Sequence, residues 1–233
     1  MKKEGVIREK KEATTWCSRG CFVKKGDTAR LITDMRQLNK CLDRPTKPYT
    51  SPEQIQKNLH LDSTCVAILD MVSSYCQMRL TEESMELTTF LIPQGRYQYT
   101  CVPLCLSPSS DWLNMETEIL IKGDARVHKN MDDCLIEGSN PETLYQRLRE
   151  VCLKARSKNI KLSKKKFKLG REVLYSGFMV KYSEESKSLV VVPDPGKLAA
   201  LNEIEAPKTK QDLLSLLGAI KTFQKWSPDI SFS

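Results

Sequence analysis

Asp132 and Asp133 are adjacent within Met131-Asp132-Asp133, and Asp70 follows the apolar run Val66–Leu69. Two strand ends that present carboxylates to one point can hold a pair of divalent ions. Such a pair clamps the attacking and leaving oxygens of a phosphoryl transfer. Oxygen donors with few nitrogens nearby suit Mg²⁺ or Mn²⁺ rather than zinc. Alone the signal is weak, because a surface Asp-Asp pair is most often a solvated turn.

The elements around these residues decide the matter. Val66–Leu69 is short and wholly apolar, as a buried central strand is, and it delivers Asp70 at its end. Val127–Asn130 and Cys134–Ile136 flank the Asp-Asp turn as hairpin arms. Cys21–Lys24 and Ala29–Thr33 read as strands around the turn Lys25-Gly26-Asp27. Tyr97, Tyr99 and Cys101 alternate with polar neighbours as in a half-buried strand. Phe167–Gly170 and Val173–Val180 read as a further hairpin, and Leu189–Val192 as a short strand.

Prolines and caps mark the helices. Ser51-Pro52 opens one through Leu59, after an extended stretch over 43–52. Ser107-Pro108 opens another through Leu120, with Trp112, Met115, Ile119 and Leu120 as its stripe. Asn140-Pro141-Glu142 opens the clearest, with Leu144, Leu148, Val151, Cys152 and Ala155 on one face. Gly196–Glu205 and Thr209–Trp226 close the chain, and residues 1–16 read as a loosely ordered or extended lead. Irregular alternation with hairpin-linked strands predicts an α+β fold, an antiparallel sheet packed on helices.

Composition narrows the class. The 233 residues suffice for a sizeable core, and 40% hydrophobic with 28% charged residues is ordinary for a globular protein. No apolar run reaches membrane-span length, so no membrane partner is expected. The basic N-terminus has no apolar stretch behind it, which predicts no secretory signal. Nine cysteines, an odd number in mainly apolar segments, read as reduced buried thiols of an intracellular protein, cytoplasmic or nuclear. With two histidines and no Cys-x-x-Cys pair, zinc is discounted. The net charge is +8, and nine basic residues with no acidic one lie between Lys154 and Arg171. Such a run is either a solvated helix face and turn or a surface for a polyanion backbone.

Six blocks then occur in order: Arg30-Leu-Ile-Thr-Asp34-Met-Arg36-Gln-Leu-Asn39-Lys40, Leu69-Asp70-Met-Val-Ser-Ser-Tyr75-Cys-Gln77, Gly95-Arg-Tyr-Gln-Tyr-Thr-Cys-Val-Pro103, Met131-Asp132-Asp133, Leu162-Ser-Lys-Lys-Lys-Phe167 and Tyr175-Ser-Gly177-Phe178. Together they resemble the reverse transcriptase of gypsy-type long-terminal-repeat retrotransposons, and more distantly retroviral polymerases. The tail Pro207-Lys-Thr-Lys-Gln-Asp-Leu-Leu-Ser-Leu-Leu-Gly218 resembles that family's entry into the thumb.

The resemblance implies a right-hand polymerase, with fingers and palm over 17–192 and a partial thumb over 193–233, the chain stopping at Ser233. It implies RNA-directed DNA synthesis on an RNA or DNA template with primer, from dNTP substrates, with Mg²⁺ or Mn²⁺. Asp70 and Asp132 would ligate the metals with Asp133 in support. Arg30 and one of Lys24 or Lys25 would neutralise the triphosphate. Tyr75 would block a ribose 2′-hydroxyl, unless it is only a packing residue, and Gln77 would line the nucleotide site. Lys165 or Lys166 would lie near nucleotide phosphates. Lys158, Lys161 and Lys164 would contact template–primer, and Gly177 would belong to the hairpin that grips the primer end.

Three positions depart from the family pattern. Asn130 replaces an apolar residue two before the aspartates, which is expected to loosen the hairpin. Ser74 and Cys105 replace glycines, at a cost of about 1 kcal/mol each if positive φ is required there. The rival expectations are an inactive retrotransposon-derived relic that at most binds nucleic acid, and a metal-dependent nuclease.

Overall fold

The computed structural model describes residues 1–26, 28–46, 50, 52–221 and 223. In chain order the strands are β1 (Ile7–Glu9), β2 (Ser18–Lys25), β3 (Thr28–Thr33), β4 (Cys65–Asp70), β5 (Phe90–Ile92), β6 (Gly95–Tyr99), β7 (Val127–Asn130), β8 (Asp133–Gly138), β9 (Lys168–Gly170), β10 (Glu172–Tyr175), β11 (Phe178–Ser183) and β12 (Ser188–Pro193). The helices are α1 (Arg36–Asn39), α2 (Pro52–Lys57), α3 (Glu82–Leu87), α4 (Ser109–Thr117), α5 (Pro141–Ser157), α6 (Pro195–Asn202) and α7 (Lys210–Lys221). Among the described residues no helix is long and apolar enough to cross a membrane.

The chain divides into two compact units. The first comprises Met1–Tyr49, Asp70–Gly123 and Cys152–Ser163. Its five-stranded sheet runs β1-β6-β5-β2-β3. The pairs are antiparallel except β2 with β5, which is parallel. Ile7, Met35, Leu38, Phe90, Ile92, Tyr99 and Leu106 form its core, with the Phe90 and Tyr99 rings 5.1 Å apart. Ile7–Glu9, within the lead that reads as loosely ordered or extended, pairs with β6 and buries Ile7. Its alternation is too short to register as a strand before a partner is known.

The second unit comprises Thr50–Leu69, Asp124–Val151 and Lys164–Ser233. A four-stranded sheet runs β7-β8-β4-β9 and a three-stranded one β10-β11-β12. Every residue of β4 is buried, as expected of a continuous apolar run covered on both faces. Ile55, Val66, Ile68, Leu135, Val173, Tyr175, Phe178, Val180 and Leu189 form this core. The architecture is α+β, as the sequence predicts.

Several elements differ from the reading above. Phe167–Gly170 and Val173–Val180 are not partners. β9 pairs with β4, and Val173–Val180 itself folds into a hairpin, β10–β11, turning at Ser176-Gly177. Both turn residues have positive φ, 46° and 83°, the conformation that matches strand twist in a two-residue turn. The Ser-Gly dipeptide was the available signal. α2 ends at Lys57 rather than Leu59, and Ser51 lies outside the described residues, as do Asp27, Pro48 and Trp226.

In α4 the buried side is Ser109, Asp111, Leu113 and Thr117, while Met115 is exposed. Asp111 can be buried because Arg44 Nε donates to it at 2.7 Å. On α5, Leu144, Val151 and Ala155 are buried as expected, but Cys152 is exposed. All nine cysteines are free, and Cys17, Cys21 and Cys41 are exposed like Cys152, so the thiols are not uniformly buried.

Candidate active site

The hairpin that carries the aspartate pair is built from β7 and β8, with Asn130 opposite Asp133. The turn is therefore Met131-Asp132, and Asp133 is the first residue of β8. Met131 has a φ of 55°, a left-handed conformation that costs a side chain about 1 kcal/mol. That places Asp132 at the tip and keeps Asp133 in the sheet ladder. β8 is flanked by β7 and β4, and β4 ends in Asp70.

Cys134, Leu135 and Ile136 are buried, and burial pushes the Cys134 thiol up to about 12. The Tyr175 phenol is pushed upward for the same reason, and its hydroxyl donates to the Asp133 carbonyl at 3.3 Å. Asn130 Nδ2 donates to Ser176 Oγ at 2.9 Å, in the turn that also holds Gly177. The polar residue expected to loosen the hairpin thus ties it to a neighbouring turn.

Asp70 is buried, 7% exposed, at the start of the first unit's second segment. Its carbonyl accepts from Ser163 N at 2.7 Å, and Val72 N donates to Lys161 O at 3.0 Å. Residues 161–163 thus run antiparallel beside 70–72. Gln77 completes this arrangement. Its Nε2 donates to the carbonyls of Val72 (2.6 Å) and Lys161 (3.0 Å), and its Oε1 accepts from Lys161 N at 2.7 Å. The amide expected to line a nucleotide site is committed to backbone on both ends. Gln77 and Lys158 also border a cavity of about 630 Å³, with Arg79 and Trp112.

Tyr75 lies in a 3₁₀ turn, Ser74–Gln77, half-buried, with its hydroxyl 3.2 Å from Ser110 Oγ. Ser73, not Ser74, takes the left-handed φ of 45° there, and Cys105 has no positive φ either. Ser74 is buried, and Cys105 Sγ lies 3.0 Å from Thr33 Oγ1. Neither Ser74 nor Cys105 therefore carries the positive-φ strain that the resemblance led one to expect.

In the β2–β3 ribbon Arg30 lies opposite Val23, and Lys24 opposite Ala29. Directly opposed residues share a face and successive ones alternate. Arg30 and Lys24, both exposed, therefore project to opposite faces. Lys25 pairs with Thr28. Lys158, Lys161, Lys164, Lys165 and Lys166 are exposed, the last three in one turn before β9. Gly177 has φ +83°, and a Cβ there would approach Lys197 Nζ at 2.5 Å.

One cluster was not anticipated. His60, His128 and Glu137 meet in the second unit, with Glu137 fully buried. His128 and Glu137 share the β7–β8 hairpin, but His60 comes from a segment far earlier in the chain, so no local spacing marks the set.

Residues 22–180 match the family model described as reverse transcriptase (RNA-dependent DNA polymerase). The chain is 26% identical over 237 residues to the retrovirus-related Pol polyprotein from transposon gypsy of Drosophila melanogaster, covering 98% of this chain and 22% of that polyprotein. It thus spans about a fifth of that relative. It superposes on the foamy viral protease-reverse transcriptase dRH in complex with ds DNA with a TM-score of 0.84 at 20% identity, covering 95% of this chain and 38% of the other. The foamy viral enzyme in complex with RNA/DNA hybrid gives 0.83 at 20% identity, covering 95% and 29%. The fold is that of a polymerase, and the chain belongs to the reverse transcriptase family.

Proposed function

We propose that this chain is the polymerase portion of a gypsy-type element and transfers nucleotides from dNTPs to a primer 3′-hydroxyl on an RNA or DNA template. The observation that carries this reading is the two-residue turn that puts Asp132 and Asp133 at the end of β8, beside the strand that ends in Asp70. An all-carboxylate donor set fits a hard cation such as Mg²⁺ or Mn²⁺. Bound there, the ions would supply an acidified primer hydroxyl and charge neutralisation at the leaving pyrophosphate.

Asp70 and Asp132 are the proposed ligands, with Asp133 in support. Arg30 presents a planar guanidinium suited to a bidentate grip on triphosphate oxygens. One of Lys24 or Lys25 is its proposed companion, and Lys24 occupies a ribbon position of the other parity from Arg30. Lys165 and Lys166 add charge for nucleotide phosphates. Lys158, Lys161 and Lys164 suit contacts along template–primer, which position without reading sequence. Gly177 allows close backbone approach at the β10–β11 turn. Tyr75 is assigned the exclusion of a 2′-hydroxyl. Gln77 is assigned a positioning role, holding the segment after Asp70 against Lys161. The nucleic acids named for the foamy viral structures support the choice of partner.

The test is primer extension on an RNA template, with Mg²⁺ and then Mn²⁺, beside Asp132→Asn. Extension by the natural chain that disappears in the variant, with template–primer binding retained, is expected. Strand degradation without incorporation would indicate a nuclease. Salt-sensitive binding without extension would indicate an inactive relic.

A further inference from the structure

The chain has only two histidines in 233 residues, and both meet one carboxylate. Glu137 lies in β8, at the end remote from the aspartate turn, and its side chain is fully buried. Oε2 accepts from the backbone N–H of His60 at 2.9 Å. Oε1 faces two imidazoles, His128 Nε2 at 2.5 Å and His60 Nδ1 at 3.4 Å. The three candidate ligand atoms all lie within 4.8 Å of one another.

We infer that His60, His128 and Glu137 form a binding site for a divalent transition metal, zinc in particular, that clamps the segment before β4 to the β7–β8 hairpin. Two imidazoles and one carboxylate are a donor set zinc takes readily, leaving a fourth position for water. With bonds of about 2.0–2.2 Å, tetrahedral ligand atoms sit roughly 3.4 Å apart. The His60–Glu137 separation already has that value. The His128–Glu137 hydrogen bond is the contact an ion would replace, as its two atoms part by about an ångström. His60 is 33% exposed, which gives an entry path to an otherwise closed site. Nearby guanidiniums are locally neutralised: Arg126 pairs with Asp62 at 2.8 Å and Arg147 with Asp124 at 3.1 Å. Hard cations favour oxygen-rich sites, so this site and the aspartates would select different ions. The inference does not depend on polymerase activity.

The experiment is calorimetric titration of the chelator-treated full chain with Zn²⁺, with Mg²⁺ as the control, and absorption spectroscopy after Co²⁺ loading. One equivalent of Zn²⁺ is expected to bind, raise the melting temperature, and compete with Co²⁺ for a tetrahedral site without thiolate charge-transfer bands. His60→Gln, at the exposed member, should weaken zinc at least tenfold while leaving the metal-free melting temperature unchanged. His128→Gln should weaken it likewise. Absence of binding, binding untouched by His60→Gln, or cobalt–thiolate bands from the nine cysteines would each overturn the site.

Discussion

Asn130 and Ser176 join the tips of two hairpins: the Asn130 amide donates a 2.9 Å hydrogen bond to the Ser176 hydroxyl. Asn130 is the last residue of β7, next to the turn that holds Asp132, and Ser176 opens the β10–β11 turn that holds Gly177. The polar Asn130, expected from the resemblance to loosen the hairpin, is therefore accommodated by a partner from a different strand pair. Asn130→Ala is expected to destabilise the protein by about 0.5–1 kcal/mol, as loss of one partly exposed hydrogen bond does. Ser176→Ala should cost a similar amount. Denaturant unfolding of both single variants and the double variant measures the coupling, and additive losses would mean the bond contributes nothing.

Arg30 and Lys24 separate by face. Arg30→Ala should raise the KM for dNTP at least tenfold, consistent with a charge-assisted bond worth about 1.5–3 kcal/mol. Lys24→Ala should change it less than threefold. Steady-state kinetics on a fixed template–primer distinguish the two, and equal effects would bring Lys24 to the triphosphate after all.

Tyr75 can be probed with two substitutions. Tyr75→Ala should admit ribonucleotides, lowering discrimination tenfold or more, which is about 1.4 kcal/mol in transition-state terms. Tyr75→Phe keeps the ring, loses the hydroxyl near Ser110, and should retain discrimination. Misincorporation assays with single ribonucleotides report both. Unchanged selectivity in the alanine variant would leave Tyr75 as core packing.

Tyr99 gives the first unit a signature at alkaline pH. Burial pushes its phenol up to about 12, against about 10 in an unfolded chain. The unfolded chain therefore loses this proton first. The contribution is intact below pH 10 and declines as pH rises toward 12. Two pKa units correspond to a loss on the order of 2–3 kcal/mol. Urea unfolding at pH 9 and pH 11 should show a smaller drop for Tyr99→Phe than for the natural chain. An equal drop would assign the alkaline sensitivity to other groups.

The strand ending in Asp70, the hairpin around Asp132 and Asp133, and the helix opened by Asn140 were all legible in the chain. Each depends on local physics: an apolar run too short for a helix, a turn between two strands, a cap before a 3.6-residue stripe. Asn140 Oδ1 indeed accepts from Thr143 N at 2.9 Å. The order of the six blocks carried the resemblance in the same way, because each block is contiguous in the chain. Partnership between distant segments was not legible. β9 reads as one arm of a hairpin with Val173–Val180, yet it pairs with β4, about a hundred residues earlier in the chain. Gln77 has the residue type of a ligand-facing side chain, but the chain brings Lys161 back beside it and its amide is consumed there. The two histidines look too sparse for a metal until folding sets His60, His128 and Glu137 around one point. Periodicity and turn chemistry act over a few residues and can be read directly. Strand neighbours and side-chain clusters depend on which long loops close, and that is settled by the packing of the whole core.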